Sequence, residues 1–191
     1  MKTGSSLIAL IVVVALNAAA AETPVTIPHG VRYKQASSEM NAKARGLIEG
    51  CFTNQPYRLD ALFGTHVICG PKPWAALKTH AAFKGMKITP ADIQIPVAGG
   101  RMQQLQGALF QTRQEITAFC RAMQAYLKSD DSYAVRRPTE KELQIYWAMI
   151  PYDITEPIFV AANKDHAILL HFTDELKVLW IGDLAGMSFG K

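Results

Sequence analysis

The longest regular pattern of apolar and polar positions in the chain lies between Arg101 and Lys128. Its inward positions are separated by alternating steps of four and three residues, which is the spacing of one helix face. These positions are Leu105, Leu109, Thr112, Ile116, Phe119, Met123 and Tyr126. Gly99 and Gly100 precede the stretch, and the polar run 129–132 follows it, so turn-forming residues bound both ends. The pattern predicts one long helix near 101–128.

Shorter helical patterns flank this stretch, and β patterns end the chain. Thr139 and Glu142 have the spacing of a capping box at the start of a helix, and a helical pattern also ends near Phe52. Apolar runs at 157–162, 166–173 and 176–181 are joined by short polar turns. The sequence therefore predicts an α+β protein, in which several N-terminal and central helices pack on a C-terminal three-stranded antiparallel β-meander.

The N-terminal residues have the pattern of a secretory signal peptide. Lys2 is the one charge before Glu22, residues 7–16 are apolar, and residues 18–21 are all alanine. The apolar run is too short for a good membrane span. We therefore expect residues 1–21 to be a cleaved signal peptide and residues 22–191 to form a single α+β domain. We expect this mature chain to be periplasmic and to contain no transmembrane segment.

Positive charge is concentrated in the middle of the chain, where the stretch from Ala61 to Gln114 holds six basic residues and one acidic residue. The positive charge of this stretch favours an anionic partner, either a periplasmic protein or an anionic envelope component. A solvated face without a partner is the ordinary alternative. Nucleic acid is not expected, because no stacking-aromatic motif accompanies the lysines. The predicted contact surface consists of Lys72, Lys78, Lys84 and Lys87, with Trp74 as its aromatic anchor.

Three cysteines, Cys51, Cys69 and Cys120, would enter an oxidising compartment on export. That environment favours one disulfide and one remaining thiol. We favour a disulfide between Cys51 and Cys69, whose loop is of a size for which chain entropy gives about 3 kcal/mol. Pairing of either residue with Cys120 stays open, because separation in sequence does not fix distance in space.

Histidines are the candidates for acid–base chemistry. His66 and Cys69 have H-x-x-C spacing, but a strand pattern would place them on opposite faces. His166 and His171 flank one predicted strand, and one of them could contact Asp165, Asp174 or Asp183. The sequence contains no nucleotide-binding loop, no HExxH zinc motif and no nucleophile elbow. No catalytic residue, metal site or cofactor is therefore assigned.

Three functions are compatible with these features. The leading hypothesis is an exported, non-enzymatic protein that binds another macromolecule through its basic central surface. The first alternative is an envelope-acting hydrolase that uses a histidine as general base, oriented by a carboxylate. Its candidate bases are His66, His80, His166 and His171. The second alternative is a small-molecule binding module that uses the C-terminal aromatics. Tyr152 and, outside that region, Trp74 lie beside prolines, where full burial is harder, and we expect them to line a groove for a ligand or a partner.

Overall fold

The computed structural model describes residues 26–27, 32–52, 57–81, 89–90, 93–97, 101–128, 132–150 and 154–188, with the backbone alone between 89 and 104. The expected signal peptide at 1–21, together with Lys84, Lys87 and Tyr152, lies outside these residues. None of the described helices is both long enough and apolar enough to cross a membrane.

Helices and strands are interspersed along the described chain. The helices are α1 (Ser38–Phe52), α2 (Pro71–Leu77), α3 (Arg113–Tyr126) and α4 (Glu140–Met149), with a 3₁₀ turn at Leu59–Ala61. The strands are β1 (Tyr33–Lys34), β2 (His66–Cys69), β3 (Thr89–Pro90), β4 (Ile93–Val97), β5 (Arg101–Leu109), β6 (Ala134–Arg136), β7 (Ile154–Thr155), β8 (Ile158–Ala162), β9 (Ala167–Phe172) and β10 (Val178–Asp183).

A mixed sheet with the strand order β3-β5-β2-β10-β9-β8-β6 forms the centre of the fold, and β4 pairs with β5 as a hairpin. Strands β2 and β10 run parallel, whereas the other described pairs in this sheet are antiparallel. Strands β1 and β7 form a separate parallel pair. The α+β class is confirmed, but the predicted three-stranded meander is wrong, because β8, β9 and β10 lie inside a larger sheet.

Both faces of the sheet are covered. On one face, Ile48 of α1 and Phe119 of α3 pack with Leu170 and other strand residues in one apolar cluster. On the opposite face, Tyr146 of α4 packs with Trp180 of β10 in a second cluster. Burial on both faces explains why β8–β10 read as nearly continuous apolar runs in the sequence.

The predicted helix over 101–128 is wrong in its first third, where the structure has strand β5. Leu105 and Leu109 are four residues apart, and that spacing places side chains on one face in a strand as well as in a helix. Thr112 is not an interior helical position but the N-cap of α3: its side chain accepts from the Glu115 amide, and Glu115 bonds back to the cap. This capping box begins the helix after the strand has ended.

The predicted Cys51–Cys69 disulfide is absent, since Cys51, Cys69 and Cys120 are all buried free thiols. Helix α1, which carries Cys51, packs over β6 and β8. Strand β2, which carries Cys69, is separated from β8 in the sheet by β10 and β9. The sheet order, which the sequence did not reveal, therefore keeps these two elements apart.

Candidate functional site

The predicted basic surface is described only at α2. Lys72 and Lys78 are exposed, and Lys72 Nζ donates a hydrogen bond to the carbonyl oxygen of Ala185. Trp74 retains only 8% exposure and belongs to the core, so it offers no exposed ring to a partner. Partner binding through Lys72 and Lys78 stays a prediction, and its aromatic anchor is not available at the surface of this structure.

His171 lies in the core and holds α4 against the sheet. Its Nδ1 is 2.5 Å from the hydroxyl of Tyr146, and its Nε2 is 3.1 Å from Oγ1 of Thr155. Burial lowers the pKa of His171 to about 4, so the ring is neutral at pH 7. Because both nitrogens are occupied and the ring is buried, His171 has a packing role.

A carboxylate orients the His166 ring. It ends the turn between β8 and β9, where the side chain of Asn163 accepts the His166 amide at 2.8 Å. Its Nδ1 lies 2.7 Å from Oδ2 of Asp183, the last residue of β10. Antiparallel pairing of β9 with β10 places Asp183 opposite Ile168, close to His166. The sheet register therefore creates a histidine–aspartate pair from residues 17 positions apart.

Asp183 is fixed by four donors. Its Oδ1 accepts the amides of Ala167 at 3.1 Å and Ala185 at 3.0 Å, and its Oδ2 accepts the Tyr126 hydroxyl at 2.8 Å in addition to His166. Burial alone would raise the pKa of Asp183, but these hydrogen bonds outweigh it and lower the pKa below its ordinary value. Asp183 is therefore a carboxylate at neutral pH.

The ionised carboxylate determines the tautomer of His166. A carboxylate can only accept, so the proton of neutral His166 lies on Nδ1 and the free lone pair lies on Nε2. Within the described part of the chain, no hydrogen bond to Nε2 is found. Nε2 is thus the atom of this pair that can take up a proton.

Two tyrosine rings flank the His166 imidazole. The Tyr126 ring centroid lies 5.2 Å from that of His166, and the Tyr133 ring stacks at 6.3 Å with an interplanar angle of 18°. The Tyr133 hydroxyl is itself tied to the Leu127 carbonyl at 3.1 Å. These contacts hold the plane of the imidazole, whose side chain keeps 14% of its surface exposed. The ring is therefore oriented and still reachable from solvent.

His66 lacks this arrangement in the described residues. His66 is exposed at the start of β2, and its Nδ1 lies 3.3 Å from Oγ1 of Thr65. His80 is partly exposed just after α2. No carboxylate ion pair to the His66 ring is found among the described residues, so His66 does not share the geometry of His166.

A second polar cluster, centred on the Glu156 carboxylate, is buried between the N-terminal segment and the sheet. Oε1 accepts from the Tyr33 hydroxyl and Arg137 Nη1, each at 2.7 Å, and Oε2 accepts from Asn41 Nδ2 at 2.7 Å and the Ala36 amide at 3.0 Å. Sequence reasoning missed this cluster, although a single acid inside the apolar run 154–162 was a signal of a buried charge. Each carboxylate oxygen of Glu156 already accepts two hydrogen bonds, so the cluster has a structural role: it joins the N-terminal segment to the sheet.

The described cavities lie elsewhere. One of about 340 Å³ opens beside the start of α3 and is lined by Asp60, Phe110 and Arg113 among others. Another of about 290 Å³ lies between β2, β5 and the end of α4, lined by Cys69, Leu105, Met149 and other residues. No group of three or more His, Cys, Asp or Glu that could hold a metal is found in the described part of the chain. The His166 ring lies outside these two cavities, between the rings of Tyr126 and Tyr133.

The contact between His166 and Asp183 defines the class of this site: it is an oriented histidine–aspartate pair on an α+β scaffold. Comparison with protein families, with curated proteins and with solved structures found no match for this chain. Any function must therefore be argued from the site itself.

Proposed function

We propose that the protein is a hydrolase of envelope esters or amides in which His166 is the general base. One observation carries the proposal, the 2.7 Å contact between His166 Nδ1 and Asp183 Oδ2. In a neutral imidazole, that contact places the proton on Nδ1 and the lone pair on Nε2, which is the arrangement that proton abstraction requires. Asp183 plays the positioning role that the aspartate has in a catalytic triad.

Water is the proposed nucleophile. In the described residues no serine, threonine or cysteine side chain is hydrogen-bonded to His166. In the proposed reaction, Nε2 removes a proton from water as the water oxygen bonds to the carbonyl carbon. The tetrahedral intermediate then breaks its bond to the leaving group, which takes the proton back from Nε2. The chain is returned unchanged, with Asp183 stabilising the transient imidazolium.

We expect the His166→Gln variant to lose at least about 100-fold in kcat/KM, because general-base catalysis typically contributes that much. The full chain, expressed with its own N-terminal segment and purified, would be assayed with p-nitrophenyl acetate and with peptidoglycan sacculi. Asp183→Asn should also lose activity, because an asparagine amide can donate to Nδ1 and so favour the wrong tautomer. His66→Gln is the matched control and should retain activity, since His66 is exposed.

Two results would contradict this proposal. One is wild-type turnover no greater than that of the heat-denatured protein on both substrates. The other is equal activity in the His166→Gln and His66→Gln variants, which would assign any hydrolysis to surface imidazoles. Far-ultraviolet circular dichroism of each variant would verify that the fold is retained.

The exposure of Lys72 and Lys78 favours a second candidate, a binding protein for an anionic periplasmic partner. We expect a tagged double variant, Lys72→Glu with Lys78→Glu, to lose a partner that the wild type captures from crosslinked periplasm. The control is Lys43→Glu with Lys141→Glu, which makes the same charge change at exposed positions of α1 and α4. Equal capture by both double variants, or capture of nothing by the wild type, would contradict binding through α2.

A further inference from the structure

Cys51 and Cys120 lie on two helices that meet at the same short segment. The backbone amide of Arg58 donates to the carbonyl oxygen of Cys51 at 3.2 Å, so the chain returns to the end of α1 just before the 3₁₀ turn. On α3, Gln124 Nε2 donates to the carbonyl oxygen of Tyr57, the residue before Arg58. Both helices therefore contact the Tyr57–Arg58 segment.

Cys120 is one helical turn before Gln124 and shares its side of α3. Cys51, Tyr57 and Cys120 are members of one buried cluster, and α1 and α3 both pack on the 3₁₀ turn that follows. Cys51, at the end of α1, and Cys120, on α3, therefore both lie near the Tyr57–Arg58 segment. Cys51 interacts electrostatically with Cys120 on α3, whereas the sequence had favoured a partner for Cys51 on β2.

We propose that Cys51 and Cys120 form a disulfide when the chain folds in an oxidising compartment, and that Cys69 remains a thiol. The bond would join α1 to α3 across the Tyr57–Arg58 segment. Cys69 would be excluded because β2 is held within the sheet, where Cys69 pairs with Gln106 on one side and Ile181 on the other.

The charges around the two thiols agree with their proximity. Burial, reinforced by the Asp60 carboxylate, raises the pKa of Cys51 to about 11 and that of Cys120 to about 12. Cys51 itself contributes to the raised pKa of Cys120. For Cys69, burial alone raises the pKa. Because thiolates are the reacting species, the folded, reduced protein should oxidise slowly, and the bond should form while the core is still open.

The oxidant is a small-molecule disulfide or the disulfide of an oxidoreductase. One cysteine thiolate attacks a sulfur of oxidised glutathione, forms a mixed disulfide and releases one glutathione thiolate. The second cysteine thiolate attacks the protein sulfur of the mixed disulfide, forms the Cys51–Cys120 bond and releases the second glutathione thiolate. The two protons lost by the cysteines end on the two glutathione molecules, so two thiols are oxidised and one glutathione disulfide is reduced.

Tryptic mapping distinguishes the three pairings, because each cysteine falls on a different peptide. Cleavage gives Gly46–Arg58 with Cys51, Leu59–Lys78 with Cys69, and Gln114–Arg121 with Cys120. The full chain would be reduced and unfolded, refolded in a mixture of reduced and oxidised glutathione, alkylated and digested without reductant. We expect mass spectrometry to find the first and third peptides linked and the second alkylated.

Cys69→Ser is the matched variant and should give the same link, whereas Cys120→Ser should leave Cys51 alkylated. The native reduced protein, treated with the same oxidised glutathione without unfolding, should form the link at least about tenfold more slowly, because its thiols are buried. A link that includes Leu59–Lys78, or full alkylation of all three peptides after refolding, would overturn the proposal. Since Cys69→Ser retains both pairing residues, a folding failure of the Cys120 variant leaves the test intact.

Discussion

Replacing Glu156 by alanine is expected to lower the free energy of unfolding by about 3–5 kcal/mol, the usual cost of removing one partner from a buried ion pair. The Arg137 guanidinium would lose its carboxylate at 2.7 Å while its side chain keeps only 16% exposure. The Tyr33 hydroxyl and the Asn41 amide would lose their acceptor in the same step. Because a domain is stable by only about 5–15 kcal/mol, this loss is a large fraction of the total.

The measurement is equilibrium unfolding in urea, followed by circular dichroism. Glu156→Gln should also destabilise, since its amide group would face the donors of Asn41 and Ala36. The matched control is Glu49→Gln, which removes the same charge from the exposed pair with Arg45 and should change stability by no more than about 0.5 kcal/mol. Equal midpoints for Glu156→Ala and the control would contradict a structural role for this cluster.

The local features of the fold followed from the sequence, and the long-range pairings did not. The capping box of Thr139 and Glu142 was predicted from spacing, and the structure has the Thr139 side chain accepting from the Glu142 amide at 3.3 Å. A capping box involves only residues within four positions of one another, so it can be recognised without knowing how the rest of the chain folds. The position of β2 between β5 and β10 joins distant segments, and its parallel pairing with β10 leaves no short turn signal in the sequence.

In the candidate site too, the individual residues could be named from the sequence, but their pairing could not. His166 was named among four histidines, and Asp183 among three possible carboxylates, because both lie near the ends of predicted strands. Only the register of β9 against β10 selects this pair. The Glu156 cluster joins residues more than 100 positions apart, such as Asn41 and Glu156, so its partners could not be inferred from spacing. Trp74 was expected at the surface as an aromatic anchor, but its ring is buried in the core, and this burial depends on tertiary contacts that the sequence does not show.

Replacing Gly107 by alanine is expected to destabilise the protein by about 3 kcal/mol, as overpacking of a filled core does. Gly107 lies in β5 opposite Ile68 of β2. A Cβ at this position would collide with the carbonyl oxygen of Val67 and lie 3.2 Å from the Cα of Ile68. Because both are backbone atoms, the steric clash can be relieved only by moving β2 away from β5. That movement would weaken the hydrogen-bonded pairing of β2 with β5.

The matched control is the same substitution at Gly46, an exposed position within α1 where an added Cβ meets no atom within 4 Å. Gly46→Ala should stabilise the protein by about 0.5–1 kcal/mol, because alanine loses less backbone entropy than glycine in a helix. Urea unfolding of the two variants should therefore move the midpoint in opposite directions from that of the wild type. A midpoint for Gly107→Ala at or above the wild-type value would contradict the close approach of β5 to β2, and with it the strand order that positions the rest of the sheet.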